Sequence, residues 1–282
     1  MKTNFLVSGD GTKLAYFDRY VKNSKLGVII LHGLAEHKGR YEEFINSLAA
    51  SGISVFAVDL RGHGESGGRR GDAENFDGFL SDLDLFVRHI KSRHPDLKLA
   101  IFGHSMGGLV ASVYAANGGA ADVLILSSPS LETPRPVQVL RLCPTRIFGK
   151  IAIKKRVSES KDMLKYSRRD PLSCRSYTLR LLKAAFIDGV RRAARGFKNI
   201  RIPVLMLGGR FDVFVNSGKL GAMLEKFGSL DKTLMIYENA KHRIVQNDAK
   251  DKSIPYIIRW IESRLQFSED GVKMAPDDPI VQ

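Results

Sequence analysis

The sequence of 282 residues predicts an α/β fold in which helices flank a mostly parallel central sheet. Short apolar runs, typical of buried strands, alternate along the chain with amphipathic stretches that are typical of helices. Hydrophobic residues make up 44% and charged residues 26% of the chain, which is the composition of a globular protein with a sizeable core. These proportions exclude a disordered or collagen-like chain.

Six apolar runs are predicted to be strands of this sheet. They cover Leu26–Leu31, Ile53–Val58, Leu97–Phe102, Asp122–Leu126, Pro203–Leu207 and Thr233–Tyr237. Between the second and third runs, apolar residues recur at helical spacing from Phe76 to Ile90. A second helix is predicted after Ser105, ending at Asn117-Gly118-Gly119, and a third follows the last strand. Strand, helix and strand in this order favour a parallel sheet.

The alternation breaks once, and this break defines the predicted domains. Residues 1–129 and 201–266 form the two parts of the core, residues 130–200 form a helical cap, and residues 267–282 form a loosely ordered tail. The stretch 131–200 holds 18 Lys and Arg against five Asp and Glu, a balance of +13 out of the chain's formal +14. The positive charge is therefore concentrated in the predicted cap.

The strand that ends at Phe102 runs into Gly103-His104-Ser105-Met106-Gly107 and then into a helix. A G-x-S-x-G pattern between strand and helix is typical of a nucleophile elbow, where a strained turn exposes the serine hydroxyl. Glycines on both sides leave room for the neighbouring strand and helix. Ser105 is therefore predicted to be a catalytic nucleophile.

A serine hydroxyl needs a histidine to take its proton and a carboxylate to orient that histidine. With an elbow of this kind the acid and the histidine follow the serine, and His242 alone among the seven histidines does so. Ten carboxylates lie between Ser105 and His242. Asp212 is favoured because it follows a strand end as His242 does, and Glu238 is its main competitor.

The oxyanion of a tetrahedral intermediate needs two backbone N–H donors. Met106, directly after the nucleophile, supplies the first, and the loop after the Leu26–Leu31 strand supplies the second. Leu34 is the predicted donor in that loop, because Gly33 lets the backbone approach the substrate.

Taken together, the motifs resemble those of the monoacylglycerol lipase and lysophospholipase branch of the α/β-hydrolases, and the match runs nearly end to end. It rests on the elbow, on His32-Gly33-Leu34-Ala35-Glu36-His37 and on Asp59-Leu60-Arg61-Gly62-His63-Gly64-Glu65-Ser66. The resemblance implies the α/β-hydrolase fold with a helical cap after the sixth strand. It also implies a cofactor-free serine hydrolase whose cap covers an acyl-chain pocket and docks on lipid. Arg243 is a departure, since the family usually carries an acidic residue after the catalytic histidine.

The leading functional hypothesis is a serine carboxylic-ester hydrolase that releases a fatty acid from monoacylglycerols or lysophospholipids. A second hypothesis keeps the same catalytic residues and changes the substrate. It covers a soluble carboxylesterase, an acyl-CoA thioesterase and a related peptidase. A non-catalytic, hydrolase-like binding module is the alternative from a different class. Ser105, Asp212 and His242 disfavour it, because a binding module needs no such set.

The basic cap predicts a peripheral contact with an anionic membrane surface, and Ile151–Val157 mixes apolar and cationic residues as interfacial segments do. A merely solvated face and a nucleic-acid patch are the alternatives, and no nucleic-acid-binding motif accompanies the charge. Two cysteines, no signal peptide and no long apolar run indicate a cytoplasmic protein. We expect no metal, because no Cys/His cluster has zinc spacing, and the family resemblance implies that no cofactor is needed.

Overall fold

An eight-stranded sheet forms the centre of the protein in a computed structural model, which describes residues 2–142, 151–154, 169–247 and 249–265. The strand order is β1-β2-β4-β3-β5-β6-β9-β10. The strands are β1 Asn4–Val7, β2 Lys13–Arg19, β3 Leu26–Leu31, β4 Ser54–Val58, β5 Lys98–His104, β6 Val123–Ser127, β9 Val204–Gly209 and β10 Lys232–Tyr237. From β4 to β10 all neighbours are parallel, which confirms the predicted sheet.

All six predicted strands are present, within one or two residues of their predicted ends. Strands β1 and β2 were not predicted, and they pair antiparallel to each other and to β4. In β1 exposure alternates over only four residues, which is too short a pattern to identify a strand from sequence.

Helices cover both faces of the sheet. They are α1 Glu42–Ala50, α2 Asp77–Arg93, α3 Met106–Ala116, α4 Leu179–Lys183, α5 Val190–Gly196, α6 Leu220–Leu224 and α7 Lys250–Leu265. One apolar core includes residues of α2 and α3, and the other includes residues of α1 and α7 on the opposite face. Every residue of α3 is buried, because α3 packs on β5 and is covered by α2 and α5.

Helical turns make up much of the described part of the cap region between β6 and β9. It contains the 3₁₀ helix Arg135–Arg141, helices α4 and α5, and the π-helix Ala184–Gly189 that joins them. Two short strands, β7 Ala152–Lys154 and β8 Ser176–Thr178, add an antiparallel pair that was not predicted. Residues 143–150 and 155–168 and the tail 267–282 lie outside the described residues, so the domain boundaries stay predictions.

In the part of the chain that the structure describes, no helix combines the length and the apolar character needed to cross a membrane.

Candidate active site

Ser105 lies in the turn between β5 and α3, with backbone angles φ 52° and ψ −115°. A left-handed φ is strained for a residue with a side chain, and such strain is typical of a nucleophile elbow. The neighbouring glycines are required by close packing. A Cβ on Gly107 would lie 2.3 Å from the Leu31 carbonyl oxygen, and one on Gly103 would lie 2.6 Å from the Gly107 carbonyl oxygen.

The Ser105 hydroxyl makes its hydrogen bond with Ser130, whose Oγ lies 3.2 Å from Ser105 Oγ. The Ser130 N–H also donates to the Ser105 carbonyl oxygen at 3.1 Å. Sequence analysis missed Ser130, although its position shortly after β6, the neighbour of β5, was an available signal. In this structure the hydroxyl therefore forms its hydrogen bond with a second serine, and the hydrogen bond of His242 is made to Asp212.

Asp212 and His242 are brought together at the carboxyl ends of β9 and β10. His242 Nδ1 donates to Asp212 Oδ2 at 2.7 Å, and both side chains are buried. Burial by itself would raise the pKa of Asp212, but the bond from His242 and the backbone N–H groups of Val215 and Phe214 lower it. Asp212 is therefore an ionised partner that sets the tautomer of His242.

Glu238, the competing acid, lies elsewhere. Its carboxylate is 3.7 Å from Arg210 Nε, and both side chains are exposed. It makes an ion pair at the surface, whereas Asp212 makes the buried bond to the histidine.

The histidine, the serine and the loop after β3 converge at one place. The ring of His104, next to Ser105 in the chain, lies 4.7 Å from the ring of His242. A Cβ on Gly33 would lie 3.2 Å from Ser105 Cβ. The Phe214 ring, which sequence analysis did not identify, lies 5.0 Å from the His242 ring and is partly exposed beside it.

Residues 32–37, here called the oxyanion loop, form a turn closed by a 3.2 Å bond from Glu36 N–H to the Gly33 carbonyl oxygen. Ala35 adopts φ 66°, and His32 Nδ1 also donates to the Gly33 oxygen at 2.8 Å. Neither Leu34 N–H nor Met106 N–H donates to another described residue. Both predicted donors are therefore available to a ligand.

The second motif loop, 59–66, supports this arrangement. Asp59 accepts from the Lys38 backbone at 2.6 Å and from Lys38 Nζ at 2.9 Å. Ser66 Oγ donates to the Asp59 carbonyl oxygen at 2.6 Å, and burial lowers the pKa of His63 to about 3. These contacts hold residues 59–66 against the segment that follows the oxyanion loop.

The end of the oxyanion loop is also tied to the cap region. Asp170 Oδ2 accepts from His37 Nε2 at 2.9 Å and from Arg40 Nη2 at 2.8 Å. The sequence alone does not pair Asp170 with His37, because 133 residues separate the two. In the described residues, no group of three or more His, Cys, Asp or Glu is arranged to hold a metal ion.

The chain is similar to known proteins over most of its length. The family model described as "Serine aminopeptidase, S33" matches residues 22–250. The monoglyceride lipase of Homo sapiens is 32% identical over 250 residues, covering 84% of this chain and 82% of that protein. The monoglyceride lipase of Mus musculus is 29% identical, covering 94% of this chain and 92% of that protein. The crystal structure of a monoacylglycerol lipase from Paleococcus ferrophilus matches with a TM-score of 0.77 and 26% identity, over 94% of this chain and all of that chain.

Proposed function

Because the chain belongs to the family described as "Serine aminopeptidase, S33", we propose that it is a serine hydrolase that cleaves the ester of single-chain lipids such as monoacylglycerols. The substrate class is supported by the relatives named monoglyceride lipase, which match over most of their length. The observation that best supports this chemistry is the buried hydrogen bond of 2.7 Å between Asp212 and His242. It lies beyond the carboxyl ends of the parallel strands, where Ser105 also lies.

In the proposed reaction, Ser105 Oγ attacks the ester carbonyl carbon and its proton passes to His242 Nε2. Nε2 is the basic nitrogen because Nδ1 carries the proton donated to Asp212. Collapse of the tetrahedral intermediate expels the alcohol, which takes the proton from His242. Water then attacks the acyl-enzyme by the same steps and releases the fatty acid.

Leu34 and Met106 are the proposed oxyanion donors. A peptide group is planar and trans, so its N–H points away from its carbonyl oxygen. Two donors, His32 Nδ1 and Glu36 N–H, hold the Gly33 oxygen, and this aims the Leu34 N–H in the opposite direction. Met106 N–H is one of the unpaired donors at the start of α3.

Labelling with a fluorophosphonate probe tests the nucleophile. We expect wild type to be labelled and Ser105→Ala to be unlabelled, with a loss in kcat of about 10⁶-fold. Ser92→Ala, which changes an exposed serine of α2, is the matched control and should label normally. Labelling of folded Ser105→Ala would contradict the assignment, and an unlabelled, folded wild type would favour the binding-module alternative.

Hydrolysis rates on three substrates test the substrate class. We expect a monoacylglycerol to be cleaved faster than a short-chain soluble ester and faster than an acyl-CoA. A lysophospholipid with the same acyl chain distinguishes the two head groups. Preference for the soluble ester or for the thioester would support the corresponding alternative and contradict the lipid assignment.

We also propose that the protein docks on the cytoplasmic face of an anionic membrane. The docking surface would be the side of the protein at the carboxyl ends of the parallel strands, where Ser105 lies. Bulky apolar side chains are exposed in the segments that follow β6 and β9. They include Leu142, 92% exposed beside Arg141, and Val213, 65% exposed beside Asp212. A Lys219–Glu132 ion pair of 3.1 Å joins these two segments. The predicted interfacial run 151–157 lies mostly outside the described residues.

Vesicle binding tests this docking. A Leu142→Ser/Val213→Ser double variant should bind phosphatidylglycerol vesicles at least about 30-fold less well, because each of the two removed apolar side chains contributes about 1 kcal/mol or more. Leu230→Ser is the matched control, since Leu230 is fully exposed but precedes β10 and so lies at the opposite edge of the sheet. Wild-type binding should weaken as salt rises. Equal loss in the control, or indifference to salt and lipid charge, would overturn the proposal.

A further inference from the structure

Arg243, the residue after His242 that departs from the family pattern, is buried and paired with Glu36 of the oxyanion loop. Arg243 Nε donates to Glu36 Oε1 at 2.7 Å, and the two side chains are 7% and 3% exposed. We infer that this pair is a positioning device that locks the oxyanion loop to the segment carrying His242. The inference rests on the proposed function, because it concerns two parts of the proposed catalytic machinery.

The Glu36 carboxylate forms hydrogen bonds within and next to the oxyanion loop. Its Oε2 accepts from Gly33 N–H at 3.2 Å and from the Tyr41 hydroxyl at 2.9 Å. The Glu36 backbone N–H meanwhile closes the turn on the Gly33 carbonyl oxygen at 3.2 Å. Both sides of Gly33 are therefore held by Glu36, and the peptide that carries Leu34 N–H has a fixed orientation.

His242 lies in an irregular segment between β10 and α7, where no ladder of backbone hydrogen bonds holds it. The bond from Arg243 is a side-chain anchor one residue away from the histidine. Any displacement of the Arg243 backbone therefore moves His242 as well. Through Glu36 this anchor reaches the loop that holds the second predicted oxyanion donor.

The opposite charges of Arg243 and Glu36 strengthen the contact between the oxyanion loop and the segment that carries His242. Burial opposes ionisation of Glu36, yet the charge and the hydrogen bond of Arg243, with the charge of Arg40, outweigh it and hold the pKa of Glu36 well below its usual value. Without the Arg243 guanidinium the buried carboxylate would lose its main counter-charge, and the surrounding loops would have to rearrange. Reactive geometry is sensitive to such shifts, since a displacement of about 1 Å can cost about 10²-fold in rate.

The test compares Arg243→Met with the double variant Glu36→Gln/Arg243→Met. Arg243→Met should lower Tm, because it leaves a buried charge unpaired, and lower kcat by about 10²-fold with KM within about twofold. In the double variant the charge is gone, so Tm should recover towards that of wild type. The connection between the loops is still missing, so kcat should stay low. Arg243→Lys, which keeps the charge, should recover part of kcat.

Arg264→Met is the control for a general loss of stability. It breaks a 3.1 Å Arg–Asp pair with Asp231, which precedes β10 at the edge of the sheet away from Ser105. Its Tm should fall while kcat stays within about twofold of wild type.

Recovery of kcat together with Tm in the double variant would reduce the pair to a structural role and overturn the inference. Unchanged kcat in folded Arg243→Met would overturn it as well. Where Arg243→Met does not fold, the double variant and Arg243→Lys decide. Fluorophosphonate labelling of wild type separates the two proposals. If wild type is labelled and active but the variants behave in either of these contrary ways, the positioning role alone is overturned. If wild type is unlabelled and inactive, the positioning role and the proposed hydrolase function are both overturned.

Discussion

Replacing Asp170 with Asn should destabilise the protein in a manner that depends on pH. The carboxylate accepts hydrogen bonds from His37 Nε2 at 2.9 Å, Arg40 Nη2 at 2.8 Å and Ser173 Oγ at 3.0 Å. The Leu172 backbone N–H donates to its other oxygen at 3.0 Å. Asn keeps the shape of the side chain but removes the charge that these donors stabilise.

The magnitude follows from the pKa of Asp170. Burial raises it, but the bond and the charge of His37, with the Leu172 N–H and Ser173, lower it from 3.8 to about 2. At about 1.4 kcal/mol per pKa unit, this difference corresponds to about 2 kcal/mol of stability. Since the folded pKa is the lower one, the stabilisation is complete above pH 4 to 5 and is lost as the pH falls towards 2. About half should remain near pH 3.

Urea unfolding of wild type and Asp170→Asn at several pH values measures this difference. The free energy of unfolding of the variant should be lower by about 2 kcal/mol at pH 7 and pH 5, and by about 1 kcal/mol near pH 3. Asp188→Asn is the control, because that side chain is 44% exposed and its carboxylate lies 4.0 Å from Arg191. A gap as large near pH 3 as at pH 7, or no gap at pH 7, would refute the reasoning.

Three further substitutions test the site and its supports. Asp212→Asn should lower kcat by about 10⁴-fold without unfolding, because the histidine loses its required tautomer; more than a tenth of wild-type kcat would contradict this. Gly107→Ala places a Cβ 2.3 Å from the Leu31 carbonyl oxygen and should cost about 1–3 kcal/mol in urea unfolding. Gly9→Ala, with open space at that position, should cost less and serves as its control. Thr178→Ala removes the side chain that caps α4 and should cost about 1 kcal/mol, measurable in the same experiment.

The strand pattern and the chemistry of the site were accessible from sequence because both are local. A buried parallel strand is a continuous apolar run, and the elbow places its glycines within two residues of Ser105. His242 could be identified because chain order in this fold leaves no other histidine after the serine. The family resemblance was confirmed by the family model that matches residues 22–250 and by the relatives named monoglyceride lipase. The catalytic roles of these residues stay proposals.

Contacts between distant parts of the chain were decided by the tertiary structure alone. Asp212 and Glu238 both follow strand ends, and only the packing brings one of them to His242. Glu36 and Arg243 are 207 residues apart, so no local pattern could relate them. Sequence periodicity specifies which face of an element is buried, because that depends on neighbouring residues. Which polar side chains then meet depends on how the elements stack, and that is a property of the whole fold.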